Sequence, residues 1–209
     1  MNKHLLWLPA AAFALILGGQ VGFYRFLDVP LAESHASWAF SPKDLNDAKA
    51  HATHVVEGDV ISVAAGPDIV TPAKGEPNDE DRIPTQHVQL KVTKAYKGNT
   101  KVGDVLDLFQ TGGQTAPTGK PDGKQGARVQ THIVLLSGDP LYKVGEHYLL
   151  MLEGGPRNQL RTISPEGRFR IESNGAVTPM VDNQVTAPVK GKALGELQRQ
   201  VAPAAIGGA

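Results

Sequence analysis

The sequence predicts a mainly β fold, a small barrel with one short flanking helix, preceded by a single apolar N-terminal span. Three observations predict it. Seven or eight short β-rich runs follow one another between His54 and Met180, glycine-centred turns separate them, and helical periodicity is confined to two short stretches. The 209 residues leave room for one domain plus tails, and a hydrophobic content of 41% is enough to bury a core.

Taken in order, Leu5–Gly19 is apolar and uncharged and follows Lys3 and His4. With Gln20 as its only polar interruption the run extends to Tyr24, long enough for a membrane span. Trp7 stands near one end and Phe23, Tyr24 and Phe26 at the other. Trp7 to Tyr24 would cover roughly 26 Å as a helix, the separation of two interfacial aromatic belts. Arg25 could extend into the far headgroups. Residues 1–27 are therefore expected to be a transmembrane signal-anchor contacting lipid through 5–27, with the body outside the cytoplasm. The alternative is a signal peptide cleaved near residue 34 or 36, where small-x-small patterns occur, which would give a secreted protein.

Residues 28–53 read as a linker and a short helix. Ser41-Pro42-Lys43-Asp44 has the form of a capping box with proline at the first helical position, predicting a helix from Pro42 to about Ala52 with Leu45, Ala48 and Ala52 on one face. The barrel is expected over 54–181. Its strands are His54–Ala64, Gln86–Tyr96, Asp104–Gln110, Val129–Leu136, His147–Leu152, Leu160–Ile163, Arg168–Ile171 and Ala176–Met180. The second alternates cleanly, with Val88, Leu90 and Val92 on one side. Ala65–Pro84, with its acidic cluster Glu76, Asp79, Glu80 and Asp81, and Thr111–Arg128, rich in Gly, Pro and Lys, read as surface loops. Residues 182–209 form a C-terminal extension in which Val189–Val201 is a marginal helix weakened by Gly191 and Gly195.

Three phrases carry a family resemblance: Thr53–Val60 (THVVEGDV), Val88-x-Leu90-x-Val92-x-Lys94-x-Tyr96-Lys97-Gly98, and Val144-Gly145-Glu146-x-Tyr148-Leu149-Leu150. Over about residues 50–172 the chain resembles the netrin-like, tissue-inhibitor-of-metalloproteinase type of OB-fold, a pattern shared by exported bacterial proteins. The resemblance implies an OB-like Greek-key barrel. It does not imply protease inhibition: inhibitors of that family act through an N-terminal cysteine, and this chain has no cysteine, so none of the family's functional residues carries over.

Composition excludes several functions. Without cysteine there is no disulfide scaffold, zinc-thiolate site or thiol nucleophile. With 21 Lys+Arg against 21 Asp+Glu, interspersed, there is no basic stripe, and no nucleic-acid partner is expected. His51 and His54 share a helical spacing, but the expected change from helix to strand between them would turn the rings apart. His87, His132 and His147 lie on different predicted strands; a metal-dependent enzyme using them is the remote alternative. Residues 76–81 lack the spacing of an EF-hand loop, and 119–124 lack that of a phosphate loop. No cofactor, metal site or catalytic residue is expected.

The expected function is a non-enzymatic, membrane-anchored extracytoplasmic interaction module. It would be an accessory subunit whose partner is another membrane or envelope protein. Arg157, Arg161, Arg168 and Arg170 lie in a segment with only Glu166 to offset them, and Arg168 and Arg170 should face away from Phe169, making them candidate contacts. Trp38 and Phe40 are candidates too, either covering the barrel base or docking on a membrane partner.

Overall fold

The computed structural model of the chain describes residues 31–34, 38–72, 80–115, 133–136 and 138–202. The described strands are β1 (Leu31–Ser34), β2 (His54–Ala65), β3 (Ile69–Pro72), β4 (Glu80–Ile83), β5 (Thr85–Lys97), β6 (Val105–Thr111), β7 (Gly113–Gln114), β8 (Ile133–Leu136), β9 (His147–Gly154), β10 (Leu160–Thr162), β11 (Arg168–Ile171) and β12 (Val177–Pro179). Two helices accompany them, α1 (Leu45–His51) and α2 (Leu194–Val201).

Strands β2, β5, β6, β10 and β9 close into a barrel. β2 pairs antiparallel with β5 and β9, β5 with β6, and β10 with β9; β10 meets β6 in parallel through the single pair Leu160↔Leu108. The β2–β5–β6 meander followed by the return of β9 beside β2 is a Greek key, and the five-strand closure is OB-like. β11 and β12 extend the sheet beyond β9, while β1, β8 and β7 form a separate three-stranded sheet. The β2–β5 pairing slips in register between Glu57 and Gly58. A side chain at Gly58 would collide with the Lys91 carbonyl at 2.6 Å, so this close approach requires glycine.

The sheet buries both faces around β2 and β9. Inside the barrel lie Val56, Val60, Val88, Leu90, Val92, Leu108, Tyr142, Tyr148, Leu150 and Leu152. Outside, α1, α2 and the 185–189 turn cover a second core formed with Val55, Leu149, Met151, Ile163, Phe169 and Val177. This explains the uninterrupted run Leu149-Leu150-Met151-Leu152: alternate residues serve opposite cores, so none can be polar. The expected inward stripe Val88, Leu90, Val92 is buried, as is the α1 face Leu45, Ala48, Ala52.

Neighbouring lysines complete the two helices. The Lys97 ammonium donates to the Lys49 and Ala50 carbonyls at 2.8 and 2.9 Å, and the Lys49 ammonium donates to the Gln200 and Ala202 carbonyls. Each cation meets the negative end of a helix, where carbonyls lack intrahelical partners.

The helix starts differ from expectation. Asp44, not Ser41, caps α1: its side chain accepts from the Asp47 amide at 2.8 Å, while Asp47 accepts from the Lys43 amide. Proline at 42 therefore precedes the helix instead of opening it. α2 begins at Leu194, after Gly191 adopts φ 71°. The 65–84 insert contains a hairpin, β3 with β4, where only a loop was expected. Among the described residues no helix is long and apolar enough to cross a membrane. The expected anchor, with Trp7, Phe23, Tyr24 and Arg25, lies outside the described residues, as do His132, 76–79 and 119–124.

Candidate functional site

A groove of about 640 Å³ opens on the outside of the barrel at the β6–β10 seam. Pro67 and Asp68 from the loop after β2 and Ile69 of β3 form part of its lining, with Gly154 at the end of β9, Gly155–Arg157 from the β9–β10 connection, Phe109 and Thr111 of β6, and Arg161 of β10. Phe109 and Thr111 reach it because the strand alternates: Leu108 and Gln110 are buried on the other face.

The β9–β10 connection is a hydrogen-bonded turn. Gly155 donates its amide to the Gln159 carbonyl at 2.7 Å, and Gln159 donates back to Pro156 at 3.1 Å. Arg157 and Asn158 at its tip have φ of 55° and 63°, a left-handed conformation that costs an ordinary residue about 1 kcal/mol or more. Arg157 is exposed and makes no side-chain hydrogen bond or ion pair with the described residues.

The four candidate arginines separate into different environments. Arg161 is exposed but held by Glu153, with Nε 3.0 Å from Oε1. Arg170 forks onto Glu172 at 2.8 and 3.0 Å and lies 3.6 Å from Glu146. Arg168 is 0% exposed and is not a surface residue at all. It does point away from Phe169, as expected, but that side is barrel interior instead of solvent. Its Nη1 donates to Asp139 at 2.9 Å and to the Pro140 carbonyl, its Nη2 donates to the Tyr148 hydroxyl at 3.1 Å, and its guanidinium lies 3.4 Å from the centre of the Tyr142 ring. Gln110 joins this network through Asp139 at 3.1 Å and the Pro140 carbonyl at 3.0 Å. Burial opposes charge on Arg168, but the two tyrosines and Asp139 outweigh it and hold it protonated. Burial likewise pushes the Tyr148 hydroxyl up to about 12, so it remains a donor and hydrogen-bonds to Glu146 at 2.6 Å. Glu166, the nearest acid in sequence, instead accepts from Asn183 at 2.9 Å. Glu172 offsets Arg170 from two residues away, but Asp139, Glu146 and Glu153 come from outside the arginine-rich stretch, which a local charge count misses.

Phe40 stacks on His51 with ring centres 3.8 Å apart and packs against the outer core, so it covers the α1 end of the domain; Trp38 is half-buried. His54 reaches Asn99 at 3.2 Å while His51 reaches Glu153 at 3.2 Å, so the pair does not converge. His87 meets Asp107 at 3.0 Å on the outer face.

One polar cluster escaped the sequence reading. On the outer faces of β2 and β9, His147 donates from Nδ1 to Asp59 at 2.7 Å and turns Nε2 toward Glu57 at 3.8 Å. Glu57, 5% exposed, also accepts from the Tyr96 hydroxyl and from Gln198 of α2 at 2.8 Å. The cluster thus ties the C-terminal helix to the barrel. The neighbouring Glu57 and Asp59 carboxylates together raise the pKa of His147 above 6.5, despite burial. Burial opposes ionisation of Glu57, but the nearby His147 ring and the donors Tyr96 and Gln198 prevail and hold it below 4.5. A register clue existed, since Glu57, Asp59 and His147 share one strand face, but pairing of β2 with β9 is needed to see it. No group of three His, Asp or Glu side chains poised for a metal occurs among the described residues.

Compared with known proteins, the chain matches no family model, no curated protein and no solved structure.

Proposed function

We propose that this chain is a non-enzymatic interaction module, anchored in a membrane by its N-terminal segment and carrying its barrel outside the cytoplasm as an accessory subunit of a larger assembly. The observation that carries the reading is the groove with Arg157 at its rim, a cation without a partner among the described residues, held on a hydrogen-bonded, left-handed turn. Such strain persists where a position is needed for contact. By fold-level analogy, the loops joining the first two and the last two strands of an OB-like barrel are those that bind ligands, and here they line the groove. The apolar run at 5–24 supports the anchor, and anchoring raises the effective concentration of a partner in the same membrane. The three sequence phrases and the barrel order favour a netrin-like variant of the fold, used for binding without the inhibitory cysteine.

Mild-detergent extraction of the full chain from the cells that produce it, followed by native gel and mass spectrometry, tests the proposal. A stoichiometric complex with a membrane or envelope protein is expected. Monomer under every gentle condition would overturn the subunit reading, and a mature N-terminus near His35 or Ser37 would overturn the anchor.

A further inference from the structure

We infer that the barrel sits end-on against its own membrane. The end that carries the β2–β3 turn, the β3–β4 hairpin and the β7–β8–β1 sheet faces the lipid headgroups, so the groove at that end opens close to the bilayer. The inference rests on the anchored-module reading and adds the surface that meets the lipid.

The covalent chain comes first. β1 begins at Leu31, so only residues 28–30 separate it from the expected span at 5–27. From residue 27 to Leu31 even a fully extended chain reaches no more than about 14 Å. β1 is in turn fastened to the domain: it lies parallel to β8 with Leu31 beside Ile133, and Ile133 pairs with Gln114 of β7. Two strand spacings, about 10 Å, therefore separate Leu31 from Gln114.

β7 follows β6 after the single residue Gly112, which donates its amide to the Pro84 carbonyl at 2.8 Å. The tether thus joins the barrel where β6 stops at Thr111 and β5 starts at Thr85, two residues paired in register. The Gly66 amide donates to the Thr85 carbonyl at 2.8 Å, which brings the β2–β3 turn to the same end. Pro67, Asp68, Ile69 and Thr111 of the groove lie here too.

The exposed side chains are compatible with that placement. Ala64, Ala65, Pro67 and Gln114 are exposed and uncharged, and Val70 is 46% exposed; Asp68 and Arg82 supply one charge of each sign. Small and apolar groups lose little hydration in a headgroup layer, whereas stripping water from charged ones is costly. The opposite end, beyond Lys97, is reached along the 13 residues of β5, roughly 40 Å of strand. It exposes Lys94, Lys101 and Asp104, but also Val102 at 68%. Exposure of a valine therefore does not choose between the ends; the short tether does.

The chain has no cysteine, so Val70→Cys, Gln114→Cys and Val102→Cys each accept a single fluorescent donor. The full-length variants are reconstituted in phosphatidylcholine vesicles carrying a headgroup-linked acceptor, with thermal melts reporting that each is folded. Energy transfer from positions 70 and 114 should be at least about twofold more efficient than from 102, given the separations above. Equal transfer from all three, or the most from 102, in protein that floats with the vesicles would overturn the inference and leave the anchor standing. Protein that does not float with the vesicles would overturn the anchor, and the inference with it.

Discussion

Arg157 and Arg168 belong to the same arginine-rich stretch of sequence yet serve opposite faces of the barrel wall: Phe109 and Thr111 line the groove, and Gln110 between them joins the Arg168 network. Arg168 is sealed between two tyrosine rings and bonded to Asp139, the Pro140 carbonyl and Tyr148. Arg157 stands at the mouth of an open groove on a strained turn with no partner among the described residues. The sealed network fixes the 139–142 segment against the barrel, and its worth is structural. In the groove Arg161 is held by Glu153, while Arg157 and Asp68 make no ion pair with the described residues. What separates them is whether distant carboxylates reach the guanidinium, a property of the fold and not of the local charge pattern.

The sharpest way to break this contrast is to truncate Arg168. Arg168→Ala leaves Asp139 buried without its cation, and urea denaturation should show a loss of about 3–5 kcal/mol. Arg168→Lys should recover little, because an ammonium cannot fork between Asp139 and Tyr148 while stacking on Tyr142. A loss under about 1 kcal/mol for the alanine variant would mean that the buried network is not what orders this region.

The outer cluster lies between the two extremes. His147 titrates above 6.5 in the folded protein, so its contribution is complete below that pH and is lost as pH rises through the folded value. Glu57 titrates below 4.5, so its contribution is complete above that pH and is lost as pH falls through the folded value. The cluster should thus stabilise the fold best between about pH 4.5 and 6.5. In melts across pH, His147→Asn should flatten the decline on the alkaline side and Glu57→Gln the one on the acid side. An unchanged alkaline decline in His147→Asn would place its origin elsewhere.

Much of the fold was legible because hydrophobic alternation survives wherever one sheet face meets a core. Val88-x-Leu90-x-Val92 placed β5, and the glycine-centred turns bounded its neighbours. β3 and β4 were missed because Pro72 and the acids at 80 and 81 hide a short hairpin. The site was only half legible. Arg157 and Arg161 were singled out and do line the groove, but Phe109 and Asp68 required the barrel to close. Arg168 was read as exposed because a charged residue in alternation usually faces water; its acceptors, Asp139 and Pro140, lie on a different loop that no local pattern connects to it.

Two smaller effects sharpen the comparison. Arg157→Gly relieves a left-handed residue and should raise stability by about 1 kcal/mol, while removing the proposed contact. Arg161→Ala breaks an exposed pair with Glu153 and should change stability by no more than about 1 kcal/mol in chemical denaturation.

The most direct measurement compares Arg157→Ala and wild type, both as full chains extracted in mild detergent, for melting temperature and for co-migration with the partner on a native gel. If the groove is the contact surface, the variant melts within a few degrees of wild type and runs free of the partner. A variant that melts normally and still co-migrates at wild-type stoichiometry would contradict it.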